Sequence, residues 1–244
     1  MNSILFIGAF DKLDMILYIA KVLRALKKRV IIIDTTLEQK SKYVVPMINP
    51  TKSYLTRFED IDIAIGFESY NEIEKYIGQT ENRKIHYDIA LVSVDSIDGY
   101  ENFANEGTIK NYFVTSYDLY SIRKGLEAIS RIKNPIELTK VIFSTEINEE
   151  DVYYLEYISL GYKIKWNDNI INFPYDTKDI EVMIENQKTN KIKIKNLSQN
   201  YKDALEYLII DMIKGIDENL LHRTIKNLEK EGWMINYAHS NILE

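Results

Sequence analysis

The sequence predicts an α/β fold in a single domain, with a mostly parallel sheet covered by helices on both faces. Apolar runs of strand length alternate with segments of helical periodicity along most of the 244 residues. Three of these runs, residues 4–7, 30–33 and 88–94, are almost continuously apolar, which is typical of parallel strands buried on both faces. Strands that alternate with helices connect in parallel, so we expect these three runs together at the centre of a seven- or eight-stranded sheet.

The other elements follow from periodicity and from turn residues. The further predicted strands are residues 61–66, 111–115, 138–144, 162–166 and 170–173. The predicted helices are residues 70–77, 119–132, 149–158, 178–186 and 199–213. Gly78 is expected to end the first of these helices and Gly215 to cap the last. Residues 35–56 are polar and contain Pro46 and Pro50, so they are predicted as a loop with at most one short helix.

The turn after the first strand contains the residues on which a nucleotide site would depend. A phosphate-binding loop needs small residues so that backbone N–H groups can wrap the phosphate, together with a lysine and a hydroxyl for Mg²⁺. The turn from Gly8 to Asp14 reads Gly-Ala-Phe-Asp-Lys-Leu-Asp. It keeps Gly8 and Lys12, but Asp11 adds a carboxylate and Leu13 replaces the hydroxyl. The segment has the strand, loop, helix and strand order of a phosphate-binding unit, but it lacks the full set of residues that phosphate binding requires.

This segment resembles the ParA/MinD family of deviant-Walker P-loop ATPases. In that family the loop reads Lys-Gly-Gly-Val-Gly-Lys-Thr-Thr, and a helix and an Arg-Val-apolar-Asp strand follow at a nearly fixed distance. Counting back from the strand that ends at Asp34 places Lys12 on the family's phosphate-binding lysine and Gly8 on its first glycine. The resemblance therefore implies Gly8, Lys12 and Asp34 as the residues of a vestigial nucleotide site.

The same alignment places unsuitable residues on the family's chemical positions. Ile7 falls on the signature lysine that reaches across the dimer, and Leu13 falls on the Mg²⁺-binding Ser/Thr. Thr36 matches the acidic residue that helps with the attacking water, and Ser93 matches the Walker B aspartate. Asp95 lies two residues further on, about 6–7 Å along the strand, which is too far to replace that aspartate. The resemblance implies no catalytic residue in this chain.

The resemblance extends over about residues 3–215 and includes residues 173–176 (Phe-Pro-Tyr-Asp), residues 191–193 and the helix from residue 199. We therefore expect a ParA/MinD-like α/β domain at residues 1–215 and a C-terminal helical extension at residues 216–244. Asp217 is a suitable cap for a helix that runs to Glu231. Its apolar face is expected to pack on the body or on a partner subunit and comprises Leu220, Leu221, Thr224, Ile225 and Leu228. The other face lacks the basic excess of a membrane-binding helix, so membrane contact is not expected.

Composition limits the partners and the location. The formal net charge of −6 argues against direct nucleic-acid binding, which needs a basic surface. The absence of cysteine excludes disulfides, thiolate metal sites and a cysteine nucleophile. No metal site is expected from His86, His222 and His239, which are widely separated. The sequence shows no signal peptide and no apolar run near the ~20 residues of a membrane span, so we expect a cytoplasmic protein.

The resemblance leads to two functional hypotheses. Members of the family segregate plasmids, place division sites, or localise pilus and secretion machinery. Because Leu13, Thr36 and Ser93 remove the Mg²⁺-binding and water-activating groups, we favour a non-catalytic pseudo-ATPase without a cofactor, similar to the atypical TadZ of pilus systems. It would be a positioning or scaffold module of a pilus, secretion, conjugation or partitioning apparatus, with protein partners. The alternative is a switch in which Lys12 and backbone amides still bind ATP weakly. We expect a homodimer that does not depend on ATP, because Ile7 replaces the signature lysine.

Overall fold

The computed structural model describes residues 1–46, 52–81, 86–105 and 107–240, without the side chains of residues 80, 81 and 231–240. The strands are β1 (Asn2–Ile7), β2 (Val30–Asp34), β3 (Tyr54–Phe58), β4 (Ile61–Ile65), β5 (Ile89–Val94), β6 (Thr108–Thr115), β7 (Ile136–Ser144) and β8 (Ile164–Pro174). The helices are α1 (Leu13–Ala25), α2 (Ser41–Val44), α3 (Tyr70–Glu81), α4 (Ile97–Phe103), α5 (Leu119–Glu127), α6 (Glu149–Ile158), α7 (Thr177–Thr189), α8 (Gln199–Met212) and α9 (Glu218–Ser240).

The strands form one eight-stranded sheet in the order β3-β4-β2-β5-β1-β6-β7-β8. Every neighbouring pair is parallel except β3 and β4, which pair antiparallel at one edge. The three continuously apolar runs are the adjacent strands β2, β5 and β1, with Leu91 of β5 opposite both Ile4 and Ile32. The predicted mostly parallel α/β architecture is confirmed.

Burial on both faces explains why the central strands are apolar throughout. Side chains alternate between the two faces of a strand. In β1, Ile4 and Phe6 belong to a core shared with α1, α8 and α9, whereas Leu5 and Ile7 belong to a second core on the other face. The second core includes buried side chains of α3, α4, α5 and α6. With an apolar layer on each face, no position of β1 after Ser3 faces solvent.

The C-terminal helix α9 packs on the body of the protein. Asp217 caps it by accepting the backbone N–H of Leu220 at 3.0 Å, as predicted. Leu221, Ile225 and Leu228 are buried in the core that includes α1 and α8. Leu220 is half exposed, so its assignment to the buried face is wrong. The helix runs past Glu231 to Ser240, and residues 241–244 lie outside the described residues. None of the described helices combines the length and apolar character needed to cross a membrane.

The structure differs from the predicted elements at several places. Helix α5 ends at Glu127 rather than at residue 132. Strand β3 begins at Tyr54, inside the predicted loop 35–56, and runs to Phe58; Pro50 of this loop is outside the described residues. It joins β4 through Glu59 and Asp60, which both have positive φ (47° and 64°), as the two-residue turn of a hairpin requires. Helix α3 continues through Gly78 to Glu81, and α4 was not predicted. Strand β8 is one strand rather than two, paired with β7 through a register shift.

Candidate functional site

The loop between β1 and α1 lies at the carboxyl edge of the sheet, where α/β proteins bind ligands. Its first residue, Gly8, donates its N–H to the carbonyl of Val94 at 2.9 Å. Gly8 has φ +146°, and a Cβ there would lie 2.0 Å from the carbonyl oxygen of Val114. Only glycine fits this position, so the packing of the loop against β6 explains Gly8 without reference to a ligand.

Apolar side chains attach the loop to the core. The ring of Phe10 stacks on Phe143 with centroids 4.8 Å apart and contacts the edge of Tyr175 at 6.3 Å. Leu13, the first residue of α1, is buried in the same core. By the alignment above, Phe10 stands where the family's loop has a valine, and Leu13 stands where it has a hydroxyl. The loop is therefore fixed by apolar packing on its β7 and β8 side.

Asp11 occupies the N-terminus of α1 with its own carboxylate. Its Oδ1 accepts the backbone N–H of Leu13 at 3.2 Å. Its Oδ2 accepts a hydrogen bond from the Nζ of Lys40 at 2.6 Å, and both side chains are about half exposed. Helix N-termini attract anions because their first N–H groups have no partner within the helix. Here the chain itself supplies that anion and its counter-ion.

Lys12 is almost completely buried, with 4% of its surface exposed. Its Nζ donates to the carbonyl oxygen of Gly8 at 2.5 Å. Burial lowers the pKa of Lys12 to about 8, although the carboxylates of Asp95, Asp34 and Asp11 favour its charged form. The lysine is therefore held inside the loop, and its charge is compensated by carboxylates of the chain itself.

Asp34 lies at the end of β2 and is 3% exposed. Its Oδ1 accepts the N–H and the hydroxyl of Thr36, at 3.1 Å and 2.5 Å, and its Oδ2 accepts the N–H of Ser41 at 3.1 Å. These bonds form the turn after β2 and connect it to the first residue of α2. In this structure Asp34 has a structural role as an acceptor for backbone groups.

The end of β5 contributes Ser93 and Asp95. Ser93 is buried, and its carbonyl accepts the N–H and the hydroxyl of Thr35 at 3.1 Å and 2.7 Å. Asp95 accepts the N–H of Leu37 at 3.0 Å. Burial raises the pKa of Asp95, partly offset by this hydrogen bond and by the charge of Lys12. Asp95 thus faces the same space as Lys12 while it positions the loop that follows β2.

These residues line one cleft of about 320 Å³. Its charged side chains are four carboxylates and three ammonium groups: Asp11, Asp34, Glu38, Asp95, Lys12, Lys40 and Lys124. The structure therefore places Lys12 and Asp34 in one cleft, and Lys12 donates to the carbonyl of Gly8. No sequence pattern indicated Lys40 or Lys124, because their place in the cleft depends on long-range packing.

A second hollow of about 330 Å³ lies beside the Asp11–Lys40 ion pair. Asp14 lines it and accepts a hydrogen bond from the Nε2 of Gln187 at 2.9 Å. Burial raises the pKa of Asp14 to about 6, and the nearby Asp11 adds to this shift. In the part of the chain that the structure describes, no group of acidic, histidine or cysteine side chains has an arrangement suited to a metal ion.

Solved structures that superpose on this chain include ParA and MinD proteins. MinD from Aquifex aeolicus, in the MinC:MinD cell division protein complex, superposes with a TM-score of 0.52 and 17% identity over 89% of this chain and 99% of that chain. A ParA family ATPase from Chlorobium tepidum gives a TM-score of 0.54 and 14% identity over 84% and 96%. The chain has the ParA/MinD fold. McdA from Cyanothece, in a complex with ATP, gives 0.55 and 6% over 89% and 98%.

By sequence, the chain matches no family model and no curated protein. The ParA/MinD fold confirms the resemblance that the loop and the following strand indicated. At these identities the comparison extends to the fold alone. What the cleft does has to be argued from its own residues.

Proposed function

We propose that this chain is a pseudo-ATPase with the ParA/MinD fold, a non-catalytic, cytoplasmic positioning or scaffold module of a larger machine. The machine would be a pilus, secretion, conjugation or partitioning apparatus. Structures with this fold include a cell division protein and a putative plasmid partition protein from Borrelia burgdorferi, solved with AMPPNP. These relatives in fold support a role in arranging cell contents with protein partners. Direct binding to nucleic acid or to a membrane is not part of the proposal.

The observation that supports the loss of ATPase activity most directly is the position of Asp11. A phosphate at the N-terminus of α1 would meet a carboxylate that already accepts the N–H of Leu13 and already pairs with Lys40. A like-charge contact at ~4 Å costs on the order of 1 kcal/mol in water and ~4 kcal/mol at the effective dielectric near a protein surface. The gap between micromolar and millimolar affinity is about 4 kcal/mol. Asp11 is about half exposed, so its cost lies near the lower of these values and accounts for part of that gap.

The residues around the loop also do not fit Mg²⁺. Leu13 is apolar and buried, and Ser93 offers no carboxylate at the end of β5. Bound Mg²⁺ normally neutralises the phosphates and the charge that develops during their transfer. Without a residue for Mg²⁺ at either position, compensation of a triphosphate would depend mainly on Lys12, because Lys40 already pairs with Asp11 and Lys124 with Glu127. This supports a cleft that neither binds Mg-ATP tightly nor hydrolyses it.

Lys12 favours the second candidate, an ATP-dependent switch of low activity. It is buried at the position that the resemblance assigns to the phosphate-binding lysine, and burial there lowers its pKa. If the side chain served only to fill space, an apolar residue would do so without the cost of desolvating a charge. The two candidates differ in whether Lys12 has a phosphate partner at cellular ATP concentration.

Calorimetry with Mg-ATP separates the two candidates. We expect no binding tighter than about 1 mM and no phosphate release, and we expect the Lys12→Ala variant to behave as the parent protein does. The matched control is Lys42→Ala, which removes a lysine of α2 outside the residues that line the cleft. Micromolar binding, or turnover that Lys12→Ala abolishes and Lys42→Ala preserves, would establish the switch instead.

We also propose a homodimer that forms without ATP. Ile7, at the position of the signature lysine, is fully buried between its partners Val94 and Phe113, so no cation extends from there toward a second subunit. The apolar face of α9 packs on the body of the protein, so the dimer contact lies on another surface. Sedimentation with and without Mg-ATP tests the proposal. A dimer that appears only after Mg-ATP is added would refute it.

A further inference from the structure

Helix α6 presents an apolar stripe to solvent. Tyr153, Tyr157 and Leu160 are 70%, 70% and 77% exposed, and Tyr153 and Tyr157 have the i, i+4 spacing of neighbours on one helix face. The opposite side of α6 is anchored in the core by Leu155, which is fully buried. Five of the fifteen exposed large apolar side chains in the described part of the chain lie in this short segment: Ile147, Tyr153, Tyr154, Tyr157 and Leu160. Such a concentration is typical of an interaction surface.

Opposite charges flank the two ends of this stripe. Glu149 and Glu150 lie in the first turn of α6 and are exposed. Lys163 and Lys165 follow the last turn of the helix and are also exposed. Among the described residues, none of these four side chains has an ion-pair partner. An apolar stripe with an acidic end and a basic end is complementary to a second copy of itself in the antiparallel direction.

We propose that α6 is the dimer interface and packs antiparallel against α6 of a second copy. A two-fold axis near Leu155 places Tyr153 against Tyr157 of the other subunit, and it places the acidic end of each helix beside the basic end of the other. The inference rests on the ATP-independent homodimer proposed above and gives it a location. Because no residue that lines the cleft belongs to α6, this contact needs no ligand in the cleft.

The size and charge of the surface determine how the dimer behaves. Stable interfaces bury about 800 Å² on each partner, and a single pair of short helices buries less. We therefore expect a weak dimer that dissociates on dilution. Attraction between exposed charges is screened over about 8–10 Å at ordinary salt, so high salt weakens the dimer.

Cross-linking tests the antiparallel contact, since the chain contains no cysteine and each introduced cysteine is unique. With a short bismaleimide, Tyr157→Cys is expected to cross-link to itself. Glu149→Cys is expected to cross-link to Lys163→Cys in a mixture of the two variants but not to itself, because two copies of residue 149 lie ~18 Å apart along the helix axes. The matched control is Tyr207→Cys on α8, an exposed tyrosine on the other face of the sheet, which is expected to give no cross-linked product. Efficient cross-linking of Glu149→Cys to itself would overturn the antiparallel arrangement.

Sedimentation velocity tests the contributions of the apolar stripe and of the charged ends to dimer formation. The double variant Tyr153→Glu with Tyr157→Glu is expected to be monomeric, with Tyr207→Glu as its dimeric control, and thermal unfolding shows that each variant is folded. Glu149→Lys with Glu150→Lys is expected to weaken the dimer at least fivefold, and adding Lys163→Glu with Lys165→Glu is expected to restore it. If the double tyrosine variant remains dimeric, this inference fails while the homodimer stands. If the parent protein is monomeric throughout, both fail, and the proposal on ATP is unaffected.

Discussion

Replacing Lys12 by methionine should make the protein more stable at pH 7. Burial lowers the pKa of Lys12 from 10.5 to about 8, a difference that already includes the attraction of three carboxylates. At 1.36 kcal/mol per pKa unit, keeping Lys12 charged in the folded state costs about 3 kcal/mol. Methionine also loses the hydrogen bond to Gly8, worth ~1 kcal/mol. The expected net gain is about 2 kcal/mol, or ~4–8 °C in Tm for a chain of this size.

The pH dependence identifies the source of that gain. Below the folded pKa of about 8, Lys12 is charged in both states and the full cost is present. Between about 8 and 10.5 the folded protein releases the proton while the unfolded chain keeps it, so stability rises with pH. The advantage of Lys12→Met over the parent protein should therefore shrink by roughly 2 kcal/mol between pH 7 and pH 9.5. Other titrating groups are shared by the two proteins and largely cancel in this difference.

Urea unfolding of both proteins at the two pH values is the measurement. Lys42→Met is the matched control, because it removes a partly exposed lysine of α2, outside the residues that line the cleft, and should change stability much less than Lys12→Met does. A loss of more than 1 kcal/mol in Lys12→Met at pH 7 would refute the reasoning, since it would mean that the charge of Lys12 stabilises the loop. An advantage that does not change with pH would show that Lys12 does not titrate in this range.

Three further changes follow from the same site. Asp14→Asn should stabilise the protein by about 1–3 kcal/mol at pH 7, because burial raises the pKa of Asp14 from 3.8 to about 6, and the advantage in urea unfolding should shrink toward pH 4. Gly8→Ala should destabilise by ~3 kcal/mol or more, since its Cβ would meet Val114, whereas Gly78→Ala, with open space around it in α3, should be neutral or stabilising. Asp11→Asn removes a carboxylate from the phosphate position, so Mg-ATP should bind about fivefold tighter by calorimetry. Equal losses in the two glycine variants, or an unchanged affinity in Asp11→Asn, would contradict these arguments.

The central part of the fold was predictable because it is the most constrained. Strands β1, β2 and β5 are buried on both faces, and this requires the continuous apolar runs that the sequence shows. Strand β3 was missed because its hairpin turn consists of Glu59 and Asp60, without the Asn-Gly or Asp-Gly signal of such turns. Helix α4 is short, but Ser96 at its N-cap with Ile97, Tyr100 and Phe103 at helical spacing was a usable signal.

The candidate site was predictable in part. The resemblance located Gly8, Lys12 and Asp34, and the structure brings them together at one edge of the sheet. The capping of Leu13 by Asp11 follows a local pattern, an aspartate two residues before a helical N–H, that the sequence displays. The pairing of Asp11 with Lys40 joins residues 29 positions apart and depends on how α2 packs. No local pattern predicts such a contact.

Gly8 and Lys12 differ in what they imply about the cleft, although both match the family's loop. Gly8 is required by the carbonyl of Val114 and would be needed in any protein with this loop. Its presence is therefore no argument for a nucleotide. Lys12 is different, because its buried charge opposes folding and an apolar side chain would fill the same space. Suppose that Lys12→Met is more stable and that Mg-ATP still does not bind the parent protein. The charge of Lys12 then serves to arrange Asp34 and Asp95 in the cleft and not to bind a phosphate. In that case the pseudo-ATPase hypothesis accounts for Gly8, Lys12 and Asp34.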